Sequence, residues 1–120
     1  MYGRRLWYML KDGKPEPADV ISPEFQEWYN NIENRRVAYT DIAEGIWVST
    51  VFLGLDHNLF GVGEPVLWET MIFGGAEDSY QDRATNKEDA LEHHKEAVAL
   101  ALKGLNREDA LTKTVRRIKE

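Results

Sequence analysis

Apolar side chains recur with two different spacings along the chain, and these spacings separate strands from helices. Three successive strands are predicted over residues 35–42, 46–55 and 66–73, which are rich in β-branched and aromatic side chains. An earlier apolar run predicts a strand over about 4–10, and the Asp12-Gly13 pair after it is a favoured turn into a weak, polar partner strand. Because residues 46–55 are apolar on both faces, we expect that strand in the centre of the sheet.

A short helix is predicted between the first strand and the three later ones. Ser22 is a suitable N-cap, and Pro23 suits the first helical position. Phe25 and Trp28 then recur at helical spacing. The helix is therefore expected over about 23–32.

A long second helix is predicted near the C-terminus, after a polar, loop-like stretch over residues 76–84. Thr85 and Glu88 have the spacing of a capping box, which starts a helix. One apolar stripe is predicted along it, comprising Ala90, Leu91, His94, Ala97, Val98, Ala101, Leu102 and Leu105. Gly104 is expected to end or bend the helix, and Asn106 to cap a last helical segment.

These elements predict a single α+β domain: an antiparallel sheet of four to five strands, with a short N-terminal helix and a long C-terminal helix packed on one face. The core is expected over about residues 4–105, followed by a basic helical tail over 106–120. The second face of the sheet would expose aromatic side chains, and such a patch usually marks a ligand or partner surface. A homo-oligomer formed through the face or edge of the sheet is therefore expected.

Composition excludes several classes of protein. Hydrophobic residues make up 42% of the 120 residues, so the chain is expected to fold, and the net charge of −6 argues against generic nucleic-acid binding. No cysteine is present, which excludes disulfides and thiolate metal sites and favours the reducing cytoplasm. No apolar run is long enough for a membrane span, so no membrane partner is expected.

The hairpin predicted over residues 47–75 carries polar side chains among its apolar ones and is the candidate ligand site. Asp56, His57 and Asn58 follow its first strand, where they either form a turn or gather at a loop mouth to bind a ligand. Glu69 lies among apolar neighbours in the second strand. It is therefore either solvated, held in an ion pair or turned towards a ligand, with catalysis as a further alternative.

Four further residues complete the candidate site. Arg36 and Arg83 are the expected anion ligands, because a guanidinium matches phosphate and carboxylate geometry, although surface arginines also neutralise neighbouring acids. Thr50 contributes a hydroxyl from the central strand, and His94 is either a core residue or a ligand. A metal site made by His57, His94 and a carboxylate is an alternative, while no cofactor is expected and no nucleophile motif is present.

The string WVSTVFLGLDHNLFGVGEPVLWETMIFGG, at residues 47–75, resembles a widespread family of small proteins encoded mainly in bacteriophage and prophage genomes. The resemblance extends to Arg35-Arg36-Val37-Ala38, to residues 83–86 and to EDALEHH at 88–94, and it covers roughly residues 35–98. The chain departs from the family in His93 and in its longer basic tail. The resemblance implies a phage setting and carries no activity over to this chain.

Together these observations predict a small, phage-encoded binding protein that is not an enzyme and that counters bacterial antiphage defence. The leading hypothesis is sequestration of a nucleotide-derived immune signal, with the polar side chains named above contacting a small anionic ligand. The first alternative is inhibition of a host or defence protein by direct binding. A metal-assisted hydrolase is the third hypothesis.

Overall fold

Six strands and two α-helices make up the described chain, a computed structural model that covers the backbone of residues 6–119 and the side chains of residues 6–106. The elements are β1 (Tyr8–Lys11), β2 (Lys14–Pro17), α1 (Pro23–Asn30), a 3₁₀ turn (Ile32–Asn34), β3 (Arg36–Ala43), β4 (Ile46–Phe52), β5 (Trp68–Phe73), β6 (Gln81–Ala84) and α2 (Lys87–Lys119). The predicted α+β class, with a long C-terminal helix on an antiparallel sheet, is confirmed.

The main sheet is a four-stranded antiparallel meander in the order β3-β4-β5-β6, so sequential strands are neighbours as predicted. β4 lies in the interior of this sheet, in agreement with its apolar character. β1 and β2 form a separate hairpin around Asp12 and Gly13, whose φ angles of 52° and 77° belong to a tight hairpin turn. A bridge between Trp7 and Leu55 joins this hairpin to the chain after β4.

The main sheet differs from the sequence-based prediction at β6 and at the end of β4, each for a local reason. β6 lies in the stretch that was expected to be a loop, because a short edge strand pairs along one side only and its polar residues show no apolar alternation. β4 ends at Phe52 rather than at residue 55, because Gly54 adopts a left-handed φ of 83° and turns the chain towards β1. The amide of Tyr8 donates to the carbonyl of Gly54 at 2.7 Å, which fixes that turn.

α1 begins as predicted. The backbone N–H of Phe25 donates to the Ser22 hydroxyl at 3.1 Å, so Ser22 is the N-cap, and Pro23 occupies the first turn. Phe25 is only 2% exposed and packs edge-on against Trp7 at 5.7 Å between ring centroids. This contact attaches the β1–β2 hairpin to the body of the fold.

α2 starts one residue later than predicted. The carbonyl of Asn86 accepts the first helical bond, its side-chain oxygen accepts from the amide of Asp89 at 2.8 Å, and its amide donates to the Asp89 carboxylate at 3.1 Å. Asn86 is thus the N-cap, and its side chain pairs with Asp89 at the position where a capping box of Thr85 and Glu88 was expected. A polar N-cap was predicted correctly for this helix, but it lies one residue later in the chain than expected.

α2 packs against all four strands of the main sheet through small side chains. Ala97 and Ala101 are buried, and a Cβ at Gly104 would lie 3.4 Å from the Cβ of Ala76. Gly104 therefore permits close packing instead of ending or bending the helix. The helix continues to Lys119, so the predicted new cap at Asn106 is wrong. The predicted basic tail thus belongs to α2 in its backbone, while its side chains lie outside the described residues.

The core has two apolar halves on the face of the sheet that α2 covers. The first is built around Phe52, Leu67, Trp68, Ala84 and Ala90. The second is built around Val48, Ile72, Ala97 and Ala101. Between them, Thr50, Thr70 and His94 form a buried polar layer.

Candidate functional site

The eight residues predicted to bind a ligand lie in three separate places. Thr50 and His94 are in the buried polar layer under α2. Arg36, Glu69 and Arg83 lie on the opposite face of the main sheet. Asp56, His57 and Asn58 lie in the connection between β4 and β5. The structure therefore does not bring them into one cavity.

The buried polar layer is a continuous chain of hydrogen bonds. The Thr50 hydroxyl lies 2.7 Å from the Thr70 hydroxyl and 2.8 Å from Nδ1 of His94, and Nε2 of His94 lies 2.9 Å from the Thr40 hydroxyl. Burial lowers the pKa of His94 below its ordinary value of 6.5, so the ring is neutral at pH 7. A neutral imidazole donates from one nitrogen and accepts at the other, and the neighbouring hydroxyls satisfy either tautomer.

This arrangement assigns Thr50 and His94 to the core. Both ring nitrogens of His94 are engaged by threonine hydroxyls, and Thr50 is fully buried. Within the described residues, no three His, Asp or Glu side chains gather where they could hold a metal ion. The alternative metal site using His57 and His94 is therefore not formed by this fold.

The second location is the uncovered side of the main sheet, called the open face below. Its side chains form three rows across the strands: Arg36, Val51, Glu69 and Arg83; Tyr39, Ser49, Met71 and Gln81; and Asp41, Trp47 and Phe73. In the described part of the chain α2 packs on the other side, where Val48, Thr50 and Ile72 are buried. Val51 and Met71 are half-buried on the open face and do not belong to the core.

Glu69 is held in an ion pair on the open face. Nε of Arg83 donates to its carboxylate at 3.1 Å, and the Gln81 amide donates to the same oxygen. The Glu69 side chain is only 12% exposed, whereas that of Arg83 is 43% exposed. Among the alternatives predicted for Glu69, the structure shows the ion pair.

The rest of the open face is mainly apolar, with polar edges. The rings of Trp47 and Phe73 stack at 5.2 Å and 15°. On the β3 edge, the guanidinium of Arg36 lies 5.0 Å from the centre of the Tyr39 ring and 2.9 Å from Glu33. The Tyr39 hydroxyl donates to Asp41 at 3.0 Å, and this bond raises the pKa of Tyr39.

In the third location, Asp56 and Asn58 brace the loop between β4 and β5. One carboxylate oxygen of Asp56 accepts from the amides of Asn58 at 2.8 Å and Val66 at 2.9 Å, closing the base of the loop. The side-chain amide of Asn58 donates to the carbonyls of Val62 at 2.6 Å and Glu64 at 3.0 Å. Asp56 and Asn58 therefore form a turn, which was the first of the two alternatives predicted for them.

Three large apolar side chains project from this braced loop. Leu59, Phe60 and Val62 are 61%, 80% and 74% exposed, and we call residues 58–64 the apolar loop. Gly61 and Gly63 adopt φ angles of 70° and 85°, which allow the tight chain path. Buried apolar surface is favourable at about 25 cal/mol per Å², so a cluster of three exposed side chains on a fixed loop is a candidate contact for another molecule.

A groove of about 650 Å³ lies beside the base of the apolar loop. It is lined by Tyr8, Asp12, Gly13, Lys14, Pro15, Glu64, Pro65, Leu67, Trp68, Thr85, Asn86, Lys87 and Glu88. The floor is apolar, and the rim carries two lysines and three carboxylates. None of the eight predicted site residues lines this groove.

Sequence reasoning missed the apolar loop and the groove. The sequence did contain a signal for an exposed apolar loop. Leu59, Phe60 and Val62 lie in a glycine-containing connection, where no strand or helix is predicted to bury them. The groove had no such signal, because the residues around it come from β1, β2, the connection before β5 and the start of α2.

In the described residues, neither helix contains an 18-residue stretch apolar enough to cross a bilayer. Comparison with known proteins finds no matching family model, no similar curated protein and no similar solved structure.

Proposed function

We propose that this protein is a non-enzymatic binding protein that attaches to a protein partner through its apolar loop. The observation that carries the proposal is the exposure of Leu59, Phe60 and Val62 on a loop that Asp56 and Asn58 hold in place. A preformed loop loses little conformational entropy on binding, and exposed aromatic anchors supply much of the affinity in protein interfaces.

Charge supports a particular class of partner. No lysine or arginine occurs between residues 37 and 82, while the same segment contains eight Asp and Glu residues. The apolar loop lies within this acidic segment and ends with Glu64. Its complement is a concave apolar pocket with a basic rim, whereas anionic membranes and nucleic acids would be repelled.

The biological setting is part of the same proposal. The resemblance of residues 35–98 to phage-encoded proteins supports an accessory role in which the partner is a host or defence protein. The acidic, cysteine-free chain suits binding in the cytoplasm of the infected cell.

A matched pair of variants tests the proposal. Phe60 is 80% exposed in the apolar loop, and Ile21 is 77% exposed outside it. Tagged wild type, Phe60→Ser and Ile21→Ser are expressed in bacteria, and co-purifying proteins are quantified by mass spectrometry. We expect one stoichiometric partner with wild type and Ile21→Ser that is lost with Phe60→Ser. Retention of that partner by Phe60→Ser would overturn the assignment.

A second candidate function is binding of a small nucleotide-like ligand in the groove. Its volume of about 650 Å³ is typical of small-molecule sites, and its Leu67 and Trp68 floor is apolar. Lys14 and Lys87 on the rim would face the anionic group. This version retains the hypothesis of a sequestered immune signal but places the ligand away from the residues first predicted to bind it.

Calorimetry with cyclic nucleotides and ADP-ribose isomers tests this second candidate. Lys14→Glu and Lys87→Glu should each weaken binding about tenfold, whereas Lys11→Glu, on the same hairpin but outside the groove lining, should not. Absence of binding across the panel, or equal losses with all three variants, would eliminate it.

A further inference from the structure

The open face has the composition of an interface, independently of the apolar loop. Its centre is apolar around Val51, Met71 and the stacked Trp47–Phe73 pair, and its charged residues other than Glu69 lie on the edge strands β3 and β6. The internal pair between Glu69 and Arg83 leaves no unpaired charge in the middle. Such a face can be buried without isolating an ion.

We infer that the open face binds the open face of a second copy, with Arg36 of each copy opposite Asp41 of the other. Two sheets packed face to face keep their strand directions roughly aligned, so a two-fold axis between them runs either along the strands or across them. The charges on the outer rows distinguish these two orientations.

An axis along the strands places β3 of one copy over β6 of the other and leaves each row opposite an equivalent row. Arg36 then faces Arg83 of the second copy, which is a repulsive contact. An axis across the strands keeps β3 over β3 and places the first row opposite the third. Arg36 then faces Asp41 of the second copy, and the two-fold symmetry creates this attractive contact twice.

The same orientation brings the apolar side chains of β4 together, and it places Phe73 opposite Glu69, whose charge is paired with Arg83 in its own copy. Val51 of each copy lies opposite Trp47 of the other, and the middle rows, centred on Ser49 and Met71, meet each other. Four strands about 4.8 Å apart and three rows about 7 Å apart give a flat footprint of roughly 400 Å² per copy. The two copies together would bury roughly 800 Å², which is below the range of stable complexes, so we expect a weak and reversible dimer with a dissociation constant in the micromolar range.

Charge reversal with a mixing step tests this interface. Arg36→Asp places Asp opposite Asp41, and Asp41→Arg places Arg opposite Arg36, so each variant alone should be a monomer in sedimentation at about 100 μM, well above the expected dissociation constant. An equimolar mixture of the two should form a heterodimer, because both contacts become attractive. The chain carrying both changes should self-associate again, and Lys11→Asp should behave as wild type.

The mixing step separates the interface from damage to the fold, because a misfolded variant would not regain association from its partner. A monomeric wild type at that concentration would overturn the inference. Self-association of either single variant, or failure of the mixture to associate, would also overturn it. Loss of self-association in Phe60→Ser would assign the contact to the apolar loop instead.

Discussion

The buried polar layer is where single residues have the largest predictable effects. Thr50→Val removes the hydroxyl that contacts both Thr70 and His94, and it leaves polar atoms buried without a partner. We expect a loss of about 1–3 kcal/mol in the free energy of unfolding, measured in urea. Thr50→Ser keeps the hydroxyl and should lose only about 1 kcal/mol through its missing methyl group. Equal losses in both variants would show that the hydrogen bonds contribute little.

The lowered pKa of His94 predicts a pH dependence of stability. Because burial lowers this pKa in the folded state below the ordinary value of 6.5, the unfolded chain takes up the proton at higher pH. The stability contributed by neutral His94 is therefore complete above about pH 6.5 and decreases as the pH falls from there towards the lowered folded pKa. Urea unfolding of His94→Gln should show a shallower decline between pH 7 and 5 than wild type. Identical slopes would contradict this assignment.

At the scale of elements, the start of α2 depends on one cap. Asn86→Ala should lower the free energy of unfolding by about 1 kcal/mol, because the Asp89 amide loses its acceptor. Thr85→Ala, at the exposed position where the cap was first expected, should change it by less than about 0.5 kcal/mol. Chemical denaturation of the two variants distinguishes them, and the reverse order would restore the cap to Thr85.

The apolar loop depends on Asn58 for its conformation. Asn58→Ala removes the bonds to the carbonyls of Val62 and Glu64, so amide hydrogen exchange in residues 59–64 should accelerate while β4 and β5 remain protected. Partner binding should weaken although Phe60 is still present, since the ordering entropy is then lost on binding. Unchanged exchange would mean that the loop is held by other contacts.

The elements were predictable where one local signal dominates. Ser22 as a cap, the Asp12-Gly13 turn and the apolar β4 were each identified from a few neighbouring residues. β6 was missed because this polar edge strand is defined by its hydrogen bonds to β5 and not by an apolar pattern of its own. The role of Gly104 was predicted wrongly, because the feature that requires a small residue there is close packing against Ala76. Ala76 lies 28 positions earlier in the chain.

At the scale of the whole molecule, the candidate site was less predictable than the fold. Residues such as Thr50, Glu69 and Asp56 were correctly identified as unusual, but their partners are Thr70, Arg83 and Val66, which only the tertiary fold brings near. Polar residues in an apolar hairpin thus proved to be internal contacts of the fold. In the part of the chain that the structure describes, the surfaces open to a partner or ligand include the apolar loop, the groove and the open face.

Two of these surfaces are assigned different binding roles. The apolar loop is proposed to bind another protein, and the open face is inferred to bind a second copy. The loop projects from the connection between β4 and β5, whereas the open face is formed by the strands themselves. Variants of Phe60 and of Arg36 should therefore have independent effects on the two kinds of binding.

The most direct test of the proposed protein-binding role is photo-crosslinking in living cells from a benzophenone amino acid placed at position 60 or, as the control, at position 21. Both positions are apolar and similarly exposed, but only position 60 lies in the apolar loop. The predicted result is a discrete covalent adduct with one host protein from position 60 and none from position 21. No adduct from position 60, or the same adducts from both positions, would contradict the proposed role of the apolar loop.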